Sequence, residues 1–431
     1  MCRLSCIFHS PATGRLTMLS RTAVRMMLLC GPMLITSLAE AADWPQFLGP
    51  NRNGTSNEAG LLDRFPEGGP EVVWRVPGGV GMSAVAVADG LAITSWNRQR
   101  KQWLVALDVE TGDVRWQTPI AESYGNAMGD GPRATPTIHD GVIFVFTGEG
   151  VLCAVEQESG RLEWNIDTVA AFGTRPAEYG MSSSPLVVGN HVIVHVGAPA
   201  ATIGAFDVKT GQPVWKAGQG PAGYSSPTLL DVAGREQVVS VTGDQAIGLD
   251  PATGETLWTY PFKTNYACNT ANPIVVDGGV FISAGENHGS VLLDIKEESG
   301  RYAVSERWSS LHSKSVMRNE WQTSVVVDDY LYGFDNVGAA GPVTHLSCIE
   351  ATTGKPVWQE ARFGKGNLVL ADGKLWITTM KGELVLVKVT PEGYQELGRA
   401  RLFGETRQTM SIANGLGYTR DDREVLCIKL K

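Results

Sequence analysis

Apolar residues along this chain gather in short runs bounded by turn signals. The stretch Thr135-Pro-Thr-Ile-His-Asp140-Gly141-Val-Ile-Phe-Val-Phe146 reads as two strands around an Asp-Gly turn. The same turn returns at Asp89-Gly90, Asp277-Gly278, Asp372-Gly373 and Asn414-Gly415, and in weaker form at Asn190-His191. A second phrase recurs, with such a hairpin upstream of each copy: small residue, apolar residue, acid, then Thr or Ser, Gly and Trp. It runs Ala106-Leu107-Asp108, Thr111-Gly112, Trp116, and repeats with Ala154, Glu156, Gly160 and Trp164. Further copies carry Asp207, Gly211 and Trp215; Asp250, Gly254 and Trp258; and Glu350, Gly354 and Trp358. The Gly-to-Trp offset is four in all five, and a looser copy with an insertion ends at Trp308. The acid is positioned to accept hydrogen bonds from turn amides, and the Gly to supply a positive φ. These acids are therefore turn formers.

Two hairpins per unit make four antiparallel strands, which is one blade of a propeller. First strands begin near Ser83, Ala134, Ser183, Ser226, Asn272, Thr323, Gly366 and Thr409, giving eight blades. From Trp74 to Trp358 is 284 residues over six steps, or about 47 per blade. The last unit ends in a third strand, Glu424 to Lys431, and lacks a fourth. The segment Glu71-Val72-Val73-Trp74-Arg75 is a strand with an unpaired Trp, so pairing the N- and C-terminal strands would close the ring and remove two edges. The fold class is all-β: an eight-bladed β-propeller with docking tryptophans Trp74, Trp116, Trp164, Trp215, Trp258, Trp308 and Trp358. In the seventh unit Leu397 is read at the Trp position. Cys348 and Cys427 occupy the small-residue column as buried apolar residues.

Composition agrees. Fifty glycines, spread through 431 residues, disfavour long helices, and 43% hydrophobic residues excludes a disordered chain. A net charge of −9 excludes a general nucleic-acid binder with a basic face. Arg15, Arg21 and Arg25 precede an apolar run from Met26 to Leu38 that ends in Ala39-Glu40-Ala41, the pattern of a secretory signal and too short to span a bilayer. The expected organisation is a signal peptide over 1–41, an arm over 42–70 and the propeller over 71–431, with no transmembrane segment in the mature protein. Cys153, Cys268, Cys348 and Cys427 remain after the signal; none has C-x-x-C spacing, so core packing is expected and a thiolate metal site is not.

Loops entering the first strands, such as Pro119–Gly131, Thr168–Met181, Thr259–Cys268 and Ser309–Glu320, are longer than the turns within hairpins and share one face. Function on a rigid scaffold concentrates on such loops. The channel mouth on that face is expected to carry Arg133, Ser182, Ser183, Tyr224, Ser225, Asn269, Asn272, Trp321, Gln322, Lys365, Asn367, Arg407 and Gln408. Cations, amides and aromatics in one ring suit a flat anionic ligand whose carboxylates pair with Arg or Lys. The plainer alternative is that these groups solvate the channel and satisfy strand ends. His191 and His195 share one face of a strand without a third metal ligand, and there is no nucleophile elbow, P-loop or dinucleotide fingerprint.

The Ala/Gly-x-Asp-x-x-Thr-Gly-x-x-x-Trp phrase around eight blades resembles the repeat of the pyrroloquinoline-quinone (PQQ)-like, quinoprotein-type propellers, over residues 71–431. The arm Trp44-Pro-Gln-Phe-Leu-Gly-Pro-Asn-Arg-Asn-Gly-Thr-Ser56 is similar to that of a bacterial PQQ-like subfamily. One branch of this resemblance, the BamB-like one, implies an exported, non-catalytic binding or scaffold protein of the periplasm or cell envelope. Such a protein would present its long-loop face to an envelope protein partner or a small-molecule ligand. The other branch implies a PQQ- and calcium-dependent dehydrogenase of small alcohols or sugars. Those enzymes carry adjacent cysteines over the quinone, which this chain lacks, and a Glu/Asn/Asp calcium site to which only Glu286-Asn287 and Asp335-Asn336 bear any likeness. No catalytic residue is assigned.

Overall fold

The computed structural model describes residues 43–431 except 313, 314 and 340; the predicted signal peptide lies outside the described residues. The described residues form eight sheets, each with four consecutive antiparallel strands except at the seam and in blade 7, where the arm adds a fifth, parallel strand. Blade 1 runs Ala86–Ala88, Leu91–Arg98, Lys101–Asp108 and Val114–Glu122 from axis to rim. At the seam, Val72–Pro77 pairs antiparallel with Glu424–Lys429 and becomes the outer strand of blade 8. The ring is thus closed by pairing of the two ends of the propeller. The five-residue helix Thr168–Phe172 is the longest helical segment described, and no helix is long and apolar enough to cross a membrane.

The repeated phrase forms the joints between blades. Asp108 accepts hydrogen bonds from the amides of Glu110 and Thr111, at 2.9 and 3.0 Å, which fixes the turn. Gly112 sits at φ 76°, and a Cβ there would come within 2.8 Å of Trp74, so this position must be both left-handed and bare. Each indole reaches to the next blade: Trp74 donates to the Val109 carbonyl, Trp116 to Gln157, Trp164 to Val208, Trp215 to Pro251, Trp308 to Ala351 and Trp358 to Thr390, all at 2.9–3.2 Å. Trp258 differs, donating to Gln237 within its own blade at 2.7 Å. Next door, the outer hairpin of blade 5, Gly289–Glu298 with Arg301–Leu311, stays paired past the position of the usual turn.

Blade 7 corrects the alignment read from sequence. Gly398, not Leu397, lies opposite Leu386 in the register that pairs Ala106 with Trp116, because the step from Gly393 to this position is five residues rather than the usual four. A Cβ on Gly398 would lie 2.6 Å from Phe65, whose ring packs at 6.0 Å from Trp376. Phe65 of the arm therefore fills the space of the missing indole.

The arm reaches that point from the channel. Trp44 exchanges backbone hydrogen bonds with Val87 of blade 1, and Pro45 accepts from Ile138 of blade 2. Arg52 donates to the Ser184 and Pro185 carbonyls of blade 3 at 2.9 and 3.0 Å. Thr55–Ser56 then pairs parallel with Leu370 and Ala371 on the inner strand of blade 7. Leu61 is held by the Asp372 carboxylate at the short-turn end of the same blade. The arm crosses the axis and leaves between blades 7 and 8 toward the rim.

Candidate functional site

On the long-loop side the channel opens into a cavity of about 520 Å³. Its wall follows from strand alternation, because residues two apart point the same way. Counting back four residues from the first residue of the innermost strand gives Met82, Arg133, Ser182, Tyr224, Thr270, Trp321 and Arg407 in seven blades; these line the cavity together with Lys365, which immediately precedes Gly366–Ala371 of blade 7. Two residues deeper lies a second layer, of which Ala84, Thr135, Ser184, Ser226 and Thr409 also line it. This deeper layer is stitched from blade to blade. Side-chain oxygens of Thr135, Ser184, Ser226, Asn272 and Thr323 accept from the backbone amides of Ala84, Thr135, Ser184, Ser226 and Asn272, at 2.9–3.3 Å. Long loops add Met128, Tyr179, Tyr266, Cys268, Glu286, Glu320 and Ala339, and Phe47 of the arm enters from the opposite side.

Of the residues expected at the mouth, Arg133, Tyr224, Trp321, Lys365 and Arg407 meet in this wall, with Ser182 and Gln408. Six do not line it, and alternation explains most of them. Ser183, Ser225, Gln322 and Asn269 sit one residue out of this phase and are hydrogen-bonded elsewhere. Ser183 accepts from the His195 amide, Ser225 donates to Val241, and Gln322 accepts from the Phe334 amide. Asn269 donates to Thr242 and Phe262. Asn272 and Asn367 are in phase but committed, the first to the Ser226 amide and the second to the Arg407 carbonyl. For these six the plainer alternative, satisfying strand ends, describes the geometry. Met82 and Thr270 were missed although the same two-residue period marks them. The expectation of core packing holds for Cys153, Cys348 and Cys427, all fully buried, while Cys268 stands half-buried at the cavity wall.

Charge is uneven around the mouth. Lys365, Arg407 and Arg133 belong to blades 7, 8 and 2, and the carboxylates of Glu286 and Glu320 line the same cavity. The Trp321 ring is flanked by Lys365 Nζ at 4.3 Å and the Arg407 guanidinium carbon at 5.0 Å, close enough for cation–π attraction. Trp321 itself is held at φ 64°, a left-handed conformation that costs about 1–3 kcal/mol and is found where surroundings over-determine it. Lys365 pairs with Glu320 at 3.0 Å. Burial raises the Glu320 pKa, and the Lys365 charge works against that rise. Arg133 is spent on carbonyls of Tyr179, Gly131 and Gly129, and burial lowers its pKa. Arg407 donates to the Met128 carbonyl at 2.6 Å. Burial pushes the Cys268 thiol up to about 12, aided by the Glu286 charge, so this thiol is not a thiolate at neutral pH.

A calcium ion does not fit these residues. Among the described residues no three His, Cys, Asp or Glu side chains converge on one point. Asp335 is bound by both arms of Arg318 at 2.6 Å, and Asn336 donates to Thr344. Asn287 accepts from the Gly338 amide at 2.7 Å. His191 and His195 also diverge: the first stacks edge-on against Trp215, the second is enclosed between Ser240 and Gly223.

The molecule is thus a tryptophan-docked, eight-bladed propeller of the PQQ-like class whose mouth combines aromatic rings with three cations and two carboxylates. A family model described as the outer membrane protein assembly factor BamB matches residues 62–178 and 100–340, more than half of the chain, and the chain belongs to that family. It is 24% identical over 297 residues to an assembly factor BamB of Yersinia pestis, an alignment covering 65% of this chain and 66% of that one. It is 28% identical over 181 residues to a quinoprotein ethanol dehydrogenase of Pseudomonas putida, covering 38% of this chain and 28% of the enzyme. The chain therefore spans just under two thirds of that assembly factor and under a third of that dehydrogenase. Among solved structures, BamB from Moraxella catarrhalis superposes with a TM-score of 0.57 at 18% identity, over 84% of this chain and all of that one. A quinohemoprotein alcohol dehydrogenase from Comamonas testosteroni superposes at 0.65 and 14%, over 90% and 80%. At these identities the likeness establishes the fold.

Proposed function

We propose that this chain is an exported, non-catalytic binding propeller of the cell envelope that receives a carboxylate-bearing guest in the mouth of its channel. One observation carries the reading. Lys365 and Arg407 flank the Trp321 ring in a walled cavity, so a planar acid can pair with cations at its edge and pack its face on aromatics. A protein partner of the envelope would engage the same long-loop face, and the assembly-factor relatives favour that location.

The quinoprotein relatives favour a second reading, a PQQ- and calcium-dependent dehydrogenase of small alcohols or sugars. PQQ carries carboxylates that Lys365 and Arg407 would hold, and when bound it supplies a two-electron acceptor. The misfit of calcium, set out above, weighs against this reading. Titration of the mature protein with PQQ, with and without Ca²⁺, followed by dye-linked oxidation of an alcohol and sugar panel, separates the two. Binding of planar acids that is lost in Lys365→Met/Arg407→Met, without turnover, is expected. Calcium-dependent turnover would replace the binding reading with the enzymatic one.

A further inference from the structure

The cavity is walled by the blades, but its far end is occupied by the arm. Phe47 faces into it, half-buried, while its neighbours Leu48 and Arg52 are buried in the channel. The segment is folded tightly there: Gly49 donates to Gln46, Arg52 to Gly49 and Gly54 to Leu48, all within 3.0 Å. Leu48 and Arg52 both adopt left-handed backbone conformations, at φ 61° and 53°, which residues of this kind hold only when surroundings enforce them. Arg52 supplies that enforcement. Its guanidinium, 2% exposed, spans the Ser184 and Pro185 carbonyls of blade 3 and the Gln46 side chain of the arm. Its hydrogen-bond partners are carbonyl-type oxygens and none is a carboxylate, while Nε has no partner, so a whole positive charge lies in the channel behind Phe47.

Given the binding reading above, on which this inference rests, we infer that the arm completes the site: Phe47 is the floor that sets how large a guest the cavity accepts, and Arg52 is the bolt that holds the floor in place. An eight-bladed ring alone offers an open channel; the arm turns it into a closed-ended cup. Specificity for guest size then resides in a segment that belongs to no blade.

Two measurements test this. Phe47→Cys, in a Cys268→Ser background, places a thiol at the proposed floor. A small anionic methanethiosulfonate should label it in the folded protein, faster than a cationic reagent of equal size by about tenfold, because the cup concentrates anions. An unreactive position 47 would overturn the floor; labelling without charge preference would overturn the cationic mouth and leave the floor standing. Calorimetry with benzoate, 2-naphthoate and 1-pyrenecarboxylate then reads size selection. Phe47→Ala should improve pyrenecarboxylate affinity relative to benzoate by about tenfold, the scale on which an apolar pocket discriminates size. Adding Arg52→Met to Phe47→Cys/Cys268→Ser should speed labelling at position 47, and Arg52→Met alone should lose size selection, with the same far-UV spectrum as wild type. Binding that depends on Lys365 and Arg407 but keeps its size ranking in Phe47→Ala would sink the inference and spare the site. Failure of all three acids to bind wild-type protein would remove both.

Discussion

A single indole shows how the repeat is converted into stability. Trp215 is 8% exposed, donates to Pro251 of the next blade and packs so closely that a Cβ on Gly254 would come within 2.5 Å. Trp215→Ala opens a cavity in the joint between blades 3 and 4 and should cost about 3–5 kcal/mol. Urea denaturation reads this directly, and an unmoved midpoint would show that the joint does not depend on the ring. His195 makes a different prediction. Burial pulls its pKa down to about 4, and its nitrogens sit 2.6 Å from the Ser240 hydroxyl and 3.3 Å from the Gly223 carbonyl. An unfolded imidazole takes its proton near pH 6.5, so between those values the unfolded chain binds more protons than the folded one. The stability associated with neutral His195 is complete above about pH 6.5 and is lost as pH falls toward 4, by about 3 kcal/mol in all. In His195→Gln the acid slope of stability between pH 6.5 and 4 should be shallower than in wild type; equal slopes would assign the effect elsewhere. The pair His191 and His195 also marks what the sequence could convey at this scale. Alternation puts them on one face, but their partners lie on other strands and are invisible to local pattern.

Among the elements, blade 7 is the instructive exception. Its outer strand Glu396–Arg401 offers Gly398 where the other blades offer Trp, and Phe65 arrives from more than 300 residues earlier to fill the gap. Phe65→Ala should therefore behave like loss of a docking Trp, destabilising by about 3–5 kcal/mol, although Phe65 lies in a segment with no strand of its own. A loss below 1 kcal/mol would show that the strand stands without this ring. Regular repeats made the other joints legible, since the acid, Gly and Trp each sit at a fixed offset. The longer turn of blade 7 was not legible, because one extra residue between Gly393 and Gly398 leaves no trace in composition and shifts every later position to the opposite face. The same one-residue arithmetic governs the mouth. Ser183, Ser225, Asn269 and Gln322 have the right chemistry in the wrong phase, whereas Arg133, Tyr224, Trp321, Lys365 and Arg407 share the phase that faces the channel.

At the scale of the whole molecule, the ring and the arm solve two separate problems. The ring must have no free edge, and the arm must find carbonyls in blades that are distant in sequence. The first was readable, because an unpaired Trp strand at one end and a three-strand unit at the other call for each other. The second was not, because Arg52 meets backbone oxygens of Ser184 and Pro185, which any side chain there would present. Closure places unusual weight on one strand. Glu424–Lys429 is paired on both sides, with Val72–Pro77 and with Leu416–Arg420, and Val425, Leu426, Cys427 and Ile428 are fully buried. These residues belong to a core cluster that runs through blades 7, 8 and 1 and includes Trp44 and Phe65 of the arm. Ending the chain after Arg423 would leave Val72–Pro77 without a partner, expose two edges and open that shared core. The truncated chain should lose the single cooperative denaturation transition expected of the closed ring and expose apolar surface to a fluorescent dye. A sharp transition surviving truncation would mean that blades 1–7 fold as a self-sufficient arc and that the seam is an addition to it. Limited proteolysis distinguishes the two physically: in a closed ring the arm and blade 8 should become cleavable together, whereas in a self-sufficient arc the arm would stay protected in the channel after blade 8 is gone.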